Sequence, residues 1–142
     1  MLRQKIVVVP ITVGMALSWS AVRAERPVLT TYGTPGLVEL PSADALPAGH
    51  LAFSTAVLSN SIRTAASFQV LPRVTGTFRY SIVDNFFGDD DIAFDPTLYD
   101  RSFDVHFSLL DQAESGVGLA LGLLDLLGTG IFSSEYIVAT AA

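Results

Sequence analysis

The 142-residue chain has no cysteine. Disulfide staples are therefore excluded, and so is the acylated cysteine that would anchor these residues as a lipoprotein. Lysine is almost as scarce: Lys5 stands alone, close to the N-terminus. Histidine occurs twice, as His50 and His106, in no spacing that suits a metal. There is no Gly-x-Ser-x-Gly elbow and no phosphate-binding loop. Long apolar runs are missing too, apart from one at the start. No helix after that start is expected to cross a membrane, and the apolar half of the composition must be spent in short segments.

The starting run reads as an export signal. Arg3 and Lys5 precede the mostly apolar stretch Ile6–Leu17, and Val22-Arg23-Ala24 places small residues where a signal peptidase reads them. Cleavage is expected after Ala24. The competing reading is a membrane anchor, but the uncharged run Ile6–Val22 spans 17 residues and ends in Ser18, Ser20 and Ala21. That is the lower limit of a spanning helix. Removal of residues 1–24 takes three of the eight basic residues and none of the 14 acidic ones, leaving a formal charge of −9. A chain this acidic repels the phosphate backbone, so nucleic acid is excluded as a partner.

Residues 25–49 form a lead-in punctuated by Pro27, Pro35, Pro41 and Pro47. Proline removes a ladder donor and disfavours helix, so an extended, irregular course is expected, with a short strand near Gly36–Glu39. It serves either as an ordered lead to the first strand or as a plug facing a lumen. Alternation with a period of two then fills residues 50–142. Strands are expected at His50–Leu58, Ile62–Val70, Val74–Ile82, Phe103–Leu109, Val117–Leu123 and Ser134–Thr140. Ser59-Asn60-Ser61 and Leu71-Pro72-Arg73 are turns, Asp111–Gly116 is a polar turn, and Val83–Ser102 is a long loop. The fold class is all-β, an antiparallel up-and-down meander.

One face of these strands is aromatic or branched aliphatic. The other carries Arg63, Gln69, Thr75, Arg79, Asp104 and His106 among small residues. A soluble sandwich puts the apolar face inside. An outer-membrane barrel turns it toward lipid and the polar face toward the lumen. Strands of about nine residues suit a tilted bilayer crossing, and short loops on one rim against a long one on the other favour the barrel. Arg63, Arg79, Asp104 and His106 are the candidate lumen residues. The arginines either meet an acidic polysaccharide or pair with Asp104.

Other clusters carry less chemistry. Asp84, Asp89, Asp90, Asp91, Asp95 and Asp100 do not follow the calcium-loop pattern and read as a solvated loop. Phe86, Phe87, Phe94 and Tyr99 nearby suit a membrane interface. Asp125 and Glu135 are not placed as a glycosidase pair, and Gly118 and Gly122 suit close approach of a neighbour or plug. No catalytic residue, metal site or cofactor is expected.

Several segments in a fixed order resemble the YjbH-like family of exopolysaccharide-associated outer-membrane proteins. They are Gly33–Leu37 followed by Pro41-Ser42-Ala43, Pro47-Ala48-Gly49, Thr77-Phe78-Arg79-Tyr80, Arg101–Val105, and Gly128-Thr129-Gly130-Ile131-Phe132-Ser133-Ser134-Glu135-Tyr136. The resemblance implies an outer-membrane β-barrel in exopolysaccharide production or export, with no characterised reaction. Its implied partners are outer-membrane lipid, exopolysaccharide and other export proteins. Members are several times longer, so the chain is expected to be an N-terminal portion whose barrel is incomplete. Closure by several copies and an inactive remnant are the alternatives to that expectation. A soluble periplasmic β-sandwich that binds a glycan is the alternative to the membrane barrel.

Overall fold

A computed structural model describes residues 28–86 and 96–141. The expected signal segment and the acidic positions Asp89–Asp95 lie outside the described residues. The chain opens with a tiny hairpin of β1 (Gly36–Leu37) and β2 (Leu40–Pro41). A six-stranded antiparallel sheet follows in strict chain order: β3 (Leu51–Val57), β4 (Ser61–Leu71), β5 (Val74–Val83), β6 (Leu98–Leu110), β7 (Val117–Leu124) and β8 (Ser134–Ala141). This is the expected all-β meander. The sheet does not close on itself, since β3 and β8 are its two edges.

The strands form where the period-two pattern is strongest, and the turns form where it fails. Arg73 takes the left-handed conformation that the tight β4–β5 turn needs. The Asp111 carboxylate accepts from the Ala113 N–H at 2.8 Å and starts α1 (Gln112–Ser115), which left-handed Gly116 ends. One correction concerns β6. It starts at Leu98, not Phe103, so part of the expected long loop is strand. A second concerns the rims. Residues 58–60, 84–86, 96–97 and 125–133 share one rim, while 72–73 and 111–116 share the other. The short 58–60 turn therefore sits beside the long loop rather than opposite it.

The two faces of the sheet are inverted relative to a soluble protein. The inner face of β4–β6 buries Ser67, Thr75, Thr77, Arg79, Ser81, Asp100, Ser102, Asp104, His106 and Ser108. The outer face shows Phe53, Val57, Phe78, Tyr99 and Ile137 to the exterior, with Phe53 75% and Ile137 76% exposed. Register lines these outer residues into rows across strands, such as Phe53, Ala66, Phe78 and Phe103. Cross-strand neighbours on one face lie close enough to pack, so each row is a continuous apolar strip.

The inner face is polar yet dry because the lead-in lies over it. Gly33 sits so close to the sheet that a side chain there would overlap the Ala65 methyl group. A Cβ on Gly118 would come 2.9 Å from that of Ala43. Gly122 leaves space for the Tyr136 ring, which a Cβ would strike. Both β7 glycines thus serve the close approach expected of them. Gly122→Ala should displace Tyr136 and cost about 1–3 kcal/mol through overpacking. Urea unfolding in detergent micelles, compared with Gly116→Asn in an open turn, would measure it. An unchanged midpoint for Gly122→Ala would contradict this packing.

Candidate functional site

The inner face concentrates the chain's buried polar chemistry. Arg79 on β5 stands opposite Ser102 on β6, and Thr77 stands opposite Asp104. The antiparallel register therefore makes Arg79 and Asp104 diagonal neighbours on one face. They form an ion pair, Nη1 to Oδ2 at 2.7 Å, with both side chains 0% exposed. The Asp104 Oδ1 accepts from the Asp125 N–H at 2.7 Å, so both carboxylate oxygens are used. Buried charges persist only when paired and hydrogen-bonded in this way.

Tyr32 of the lead-in supplies the cover. Its ring lies beneath the guanidinium carbons of Arg63 at 4.3 Å and Arg79 at 4.9 Å. A ring face attracts cations, and this contact adds to the guanidinium's surroundings where Arg79 Nε and Nη2 make no hydrogen bond. Arg63 does not pair with Asp104. It donates to Thr31 Oγ1 at 3.3 Å and lies 3.8 Å from the Glu39 carboxylate. The two arginines expected to share one role are thus divided between the sheet and the lead-in.

His106 also joins sheet to lead-in. Its Nε2 lies 2.9 Å from the Asp44 carbonyl and its Nδ1 lies 2.8 Å from the Tyr136 hydroxyl. A carbonyl only accepts, so Nε2 carries the proton and the neutral ring accepts the tyrosine hydrogen at Nδ1. His106 shares a face with Asp104 but takes its hydrogen bonds elsewhere. Ser67 and Ser108 donate to the lead-in carbonyls of Gly33 (2.5 Å) and Ala43 (2.9 Å).

At the rim, the 125–133 segment folds over the same face. Asp100 accepts from the Thr129 hydroxyl, and Asp125 Oδ2 accepts from the Phe132 N–H at 3.4 Å. Phe132 meets Phe86 edge to face, with centroids 6.2 Å apart. Among the described residues, no cluster of three or more His, Asp or Glu side chains is arranged to hold a metal ion. Asp125 is buried against the inner face, while Glu135 is exposed beside Leu123 on the outer side, so the two carboxylates do not converge.

Tyr32, Asp100, Asp125 and Tyr136 were not singled out for this face from the sequence. Strand alternation does place Asp100 and Tyr136 inward once the strand starts are known. Tyr32 lies in a segment without periodicity, and only the fold brings it to the arginines.

Breaking one half of the buried pair leaves an uncompensated charge. Asp104→Leu or Arg79→Met should each destabilise by about 3–5 kcal/mol, while the double variant Arg79→Met with Asp104→Leu should recover most of that loss. Denaturant midpoints of the four proteins give the coupling directly. Additive losses in the double variant would contradict a mutually dependent pair.

Comparison with known proteins follows the same division of the chain. The family model described as exopolysaccharide biosynthesis protein YbjH matches residues 28–142. A curated relative, the uncharacterized lipoprotein YjbH of Escherichia coli (strain K12), is 30% identical over 124 residues. The match covers 82% of this chain and 17% of that relative, so the chain spans about a sixth of the relative's length. No solved structure matches it. With every described residue inside the family match, the chain belongs to the YjbH family of exopolysaccharide biosynthesis proteins.

Proposed function

We propose that the chain forms part of the wall of an outer-membrane β-barrel that serves exopolysaccharide biosynthesis or export without catalysing a reaction. One observation carries this reading: the exposed face is apolar and the covered face is polar. Hydrocarbon is the medium that stabilises such an outer face, and a polar lumen is what a sugar chain needs. The strands β4, β5 and β6, of 11, 10 and 13 residues, are long enough for a tilted crossing. Tyr80, Tyr99 and Arg101 lie toward one end of the outer face, with the Arg101 guanidinium 6.0 Å from the Tyr80 ring. Tyrosine and arginine at that depth suit a membrane–water interface.

The relative is described as a lipoprotein, which supports an exported, membrane-associated protein. The partners that follow are outer-membrane lipid, the exopolysaccharide itself and other proteins of the export route. A soluble periplasmic sandwich is the weaker reading, because it needs a second sheet over the apolar face. Among the described residues, none covers Phe53, Val57, Phe78 or Ile137.

Fractionation of cells making the protein tests this. The chain should float with outer-membrane vesicles and resist carbonate extraction. Phe78→Arg, which places a charge in the apolar band, should cost about 2–4 kcal/mol and deplete the membrane-bound pool. Leu127→Arg, in an exposed rim segment, should leave it unchanged. Recovery of the wild-type chain in the soluble periplasmic fraction would sink the barrel reading. Unaltered exopolysaccharide output after deletion of the gene would sink the functional one.

A further inference from the structure

The segment Val28–Gly49 is built as a separate unit. Its backbone hydrogen bonds are internal: Thr30 N–H to Thr34 O, Thr31 N–H to Val38 O, Gly36 N–H to Val28 O and Ser42 N–H to Pro35 O, at 2.6–3.1 Å. The β1–β2 hairpin and a Leu29–Pro35 bridge add to this closed set. Toward the sheet, the segment is held by side chains: Ser67, Ser108, His106 and Arg63, with Tyr32 stacked on two arginines. The first backbone bond to the sheet comes after the segment, where the Gln69 N–H donates to His50 O at 3.2 Å.

This division has a physical consequence. A segment whose ladder continued into the sheet could leave only by exposing a row of unpaired backbone groups. Here every internal backbone bond survives detachment, and the hydrogen-bonding side chains released can be satisfied by water or a sugar chain. The buried apolar side chains, Ala43 and Leu46 on the segment and Ala65 and Ala120 on the sheet, are few and mostly small. Its attachment point suits movement as well. Gly49 has φ +73°, and no atom lies within 4 Å of where its side chain would be. Pro47, Ala48 and Gly49 thus form an unhindered bend between the segment and β3.

We infer that Val28–Gly49 is a displaceable plug that turns about Pro47–Gly49 and uncovers the polar face for a carbohydrate chain. Closed, it occupies the hydrogen-bonding groups of Ser67, Ser108, His106 and Arg63. Open, it presents those groups, with Tyr136, to the hydroxyls of the passing glycan. The inference rests on the barrel and export reading above, and deepens it by naming what closes the path.

Two measurements separate the inference from that reading. The first uses the purified full chain in lipid vesicles and a membrane-impermeant maleimide, since the native sequence has no cysteine to interfere. Ser67→Cys, under the plug, should react at least about tenfold faster than Ser102→Cys, under the 125–133 segment, because the plug opens without global unfolding. Equal rates would overturn the inference. The second locks the plug with Ala43→Cys and Gly118→Cys. A Cβ at position 118 would stand 2.9 Å from that of Ala43, so the two need to part by about an ångström to reach the usual disulfide separation of ~3.8 Å. In cells, the oxidised lock should lower exopolysaccharide output to the level of a gene deletion, and reductant should restore it. Complete cross-linking with wild-type output would show a fixed segment and overturn the inference. If deletion itself leaves output unchanged, the export reading fails while the maleimide rates still decide whether the plug moves.

Discussion

A buried polar group must find a partner, and that constraint shapes this molecule more than any apolar core does. The fully buried side chains of the sheet include an arginine, two aspartates, a histidine and a run of serines and threonines. Such a face cannot be dried by a layer of leucines. It is dried by a segment rich in free carbonyls, and serine and histidine donors reach those carbonyls directly. The small residues of the lead-in and of β7 follow from the same need. Hydrogen bonds from short side chains require close approach, so Gly33 and Gly118 stand where any side chain would hold the layers apart.

The Arg79–Asp104 pair carries the electrostatic part of this arrangement. Its cost of desolvation is offset by a short ion pair, a backbone N–H on the second carboxylate oxygen and an aromatic ring under the guanidinium. Those three partners come from β6, the 125–133 segment and the lead-in. One buried charge therefore ties together parts of the chain that share no ladder. Removing any of them exposes the others to an unpaired charge, which is why the face behaves as one unit rather than a set of independent contacts.

Much of the sheet was legible in the sequence because a period of two is a direct record of which side chain faces which way. Phe53, Phe78 and Phe103 on one side, and Arg79, Asp104 and His106 on the other, could be separated without coordinates. The start of β6 was not legible. Asp95-Pro96 reads as a breaker, and Arg101 interrupts the apolar rhythm of its face, although Asp100 and Ser102 continue the polar one. The lead-in hid its role for a deeper reason. Its function depends on carbonyl positions and on one tyrosine ring, and neither leaves a periodic trace. Sequence logic also anticipated an ion pair with Asp104 but could not assign it to Arg79 over Arg63, because that choice is made by strand register.

The inverted faces and the open edges belong to one physical problem. In hydrocarbon an apolar side-chain face is favourable, but an unpaired strand edge is not, since each free N–H and C=O there lacks any partner. β3 and β8 both present such edges, and the plug does not cover them, because its backbone bonds are spent on itself. A membrane setting thus demands further strands against β3 and β8, whichever chain supplies them. Water makes the opposite demand: the edges are tolerable there, while the rows of Phe53, Phe78, Val57 and Ile62 are not. Extra strands on the two edges pair the free backbone groups that conflict with lipid, and they leave the outer surface as it is, with its charged residues Arg101 and Glu135 toward one rim. Making it fit water requires covering that whole surface. The smaller change is the one that closes a barrel around the plug.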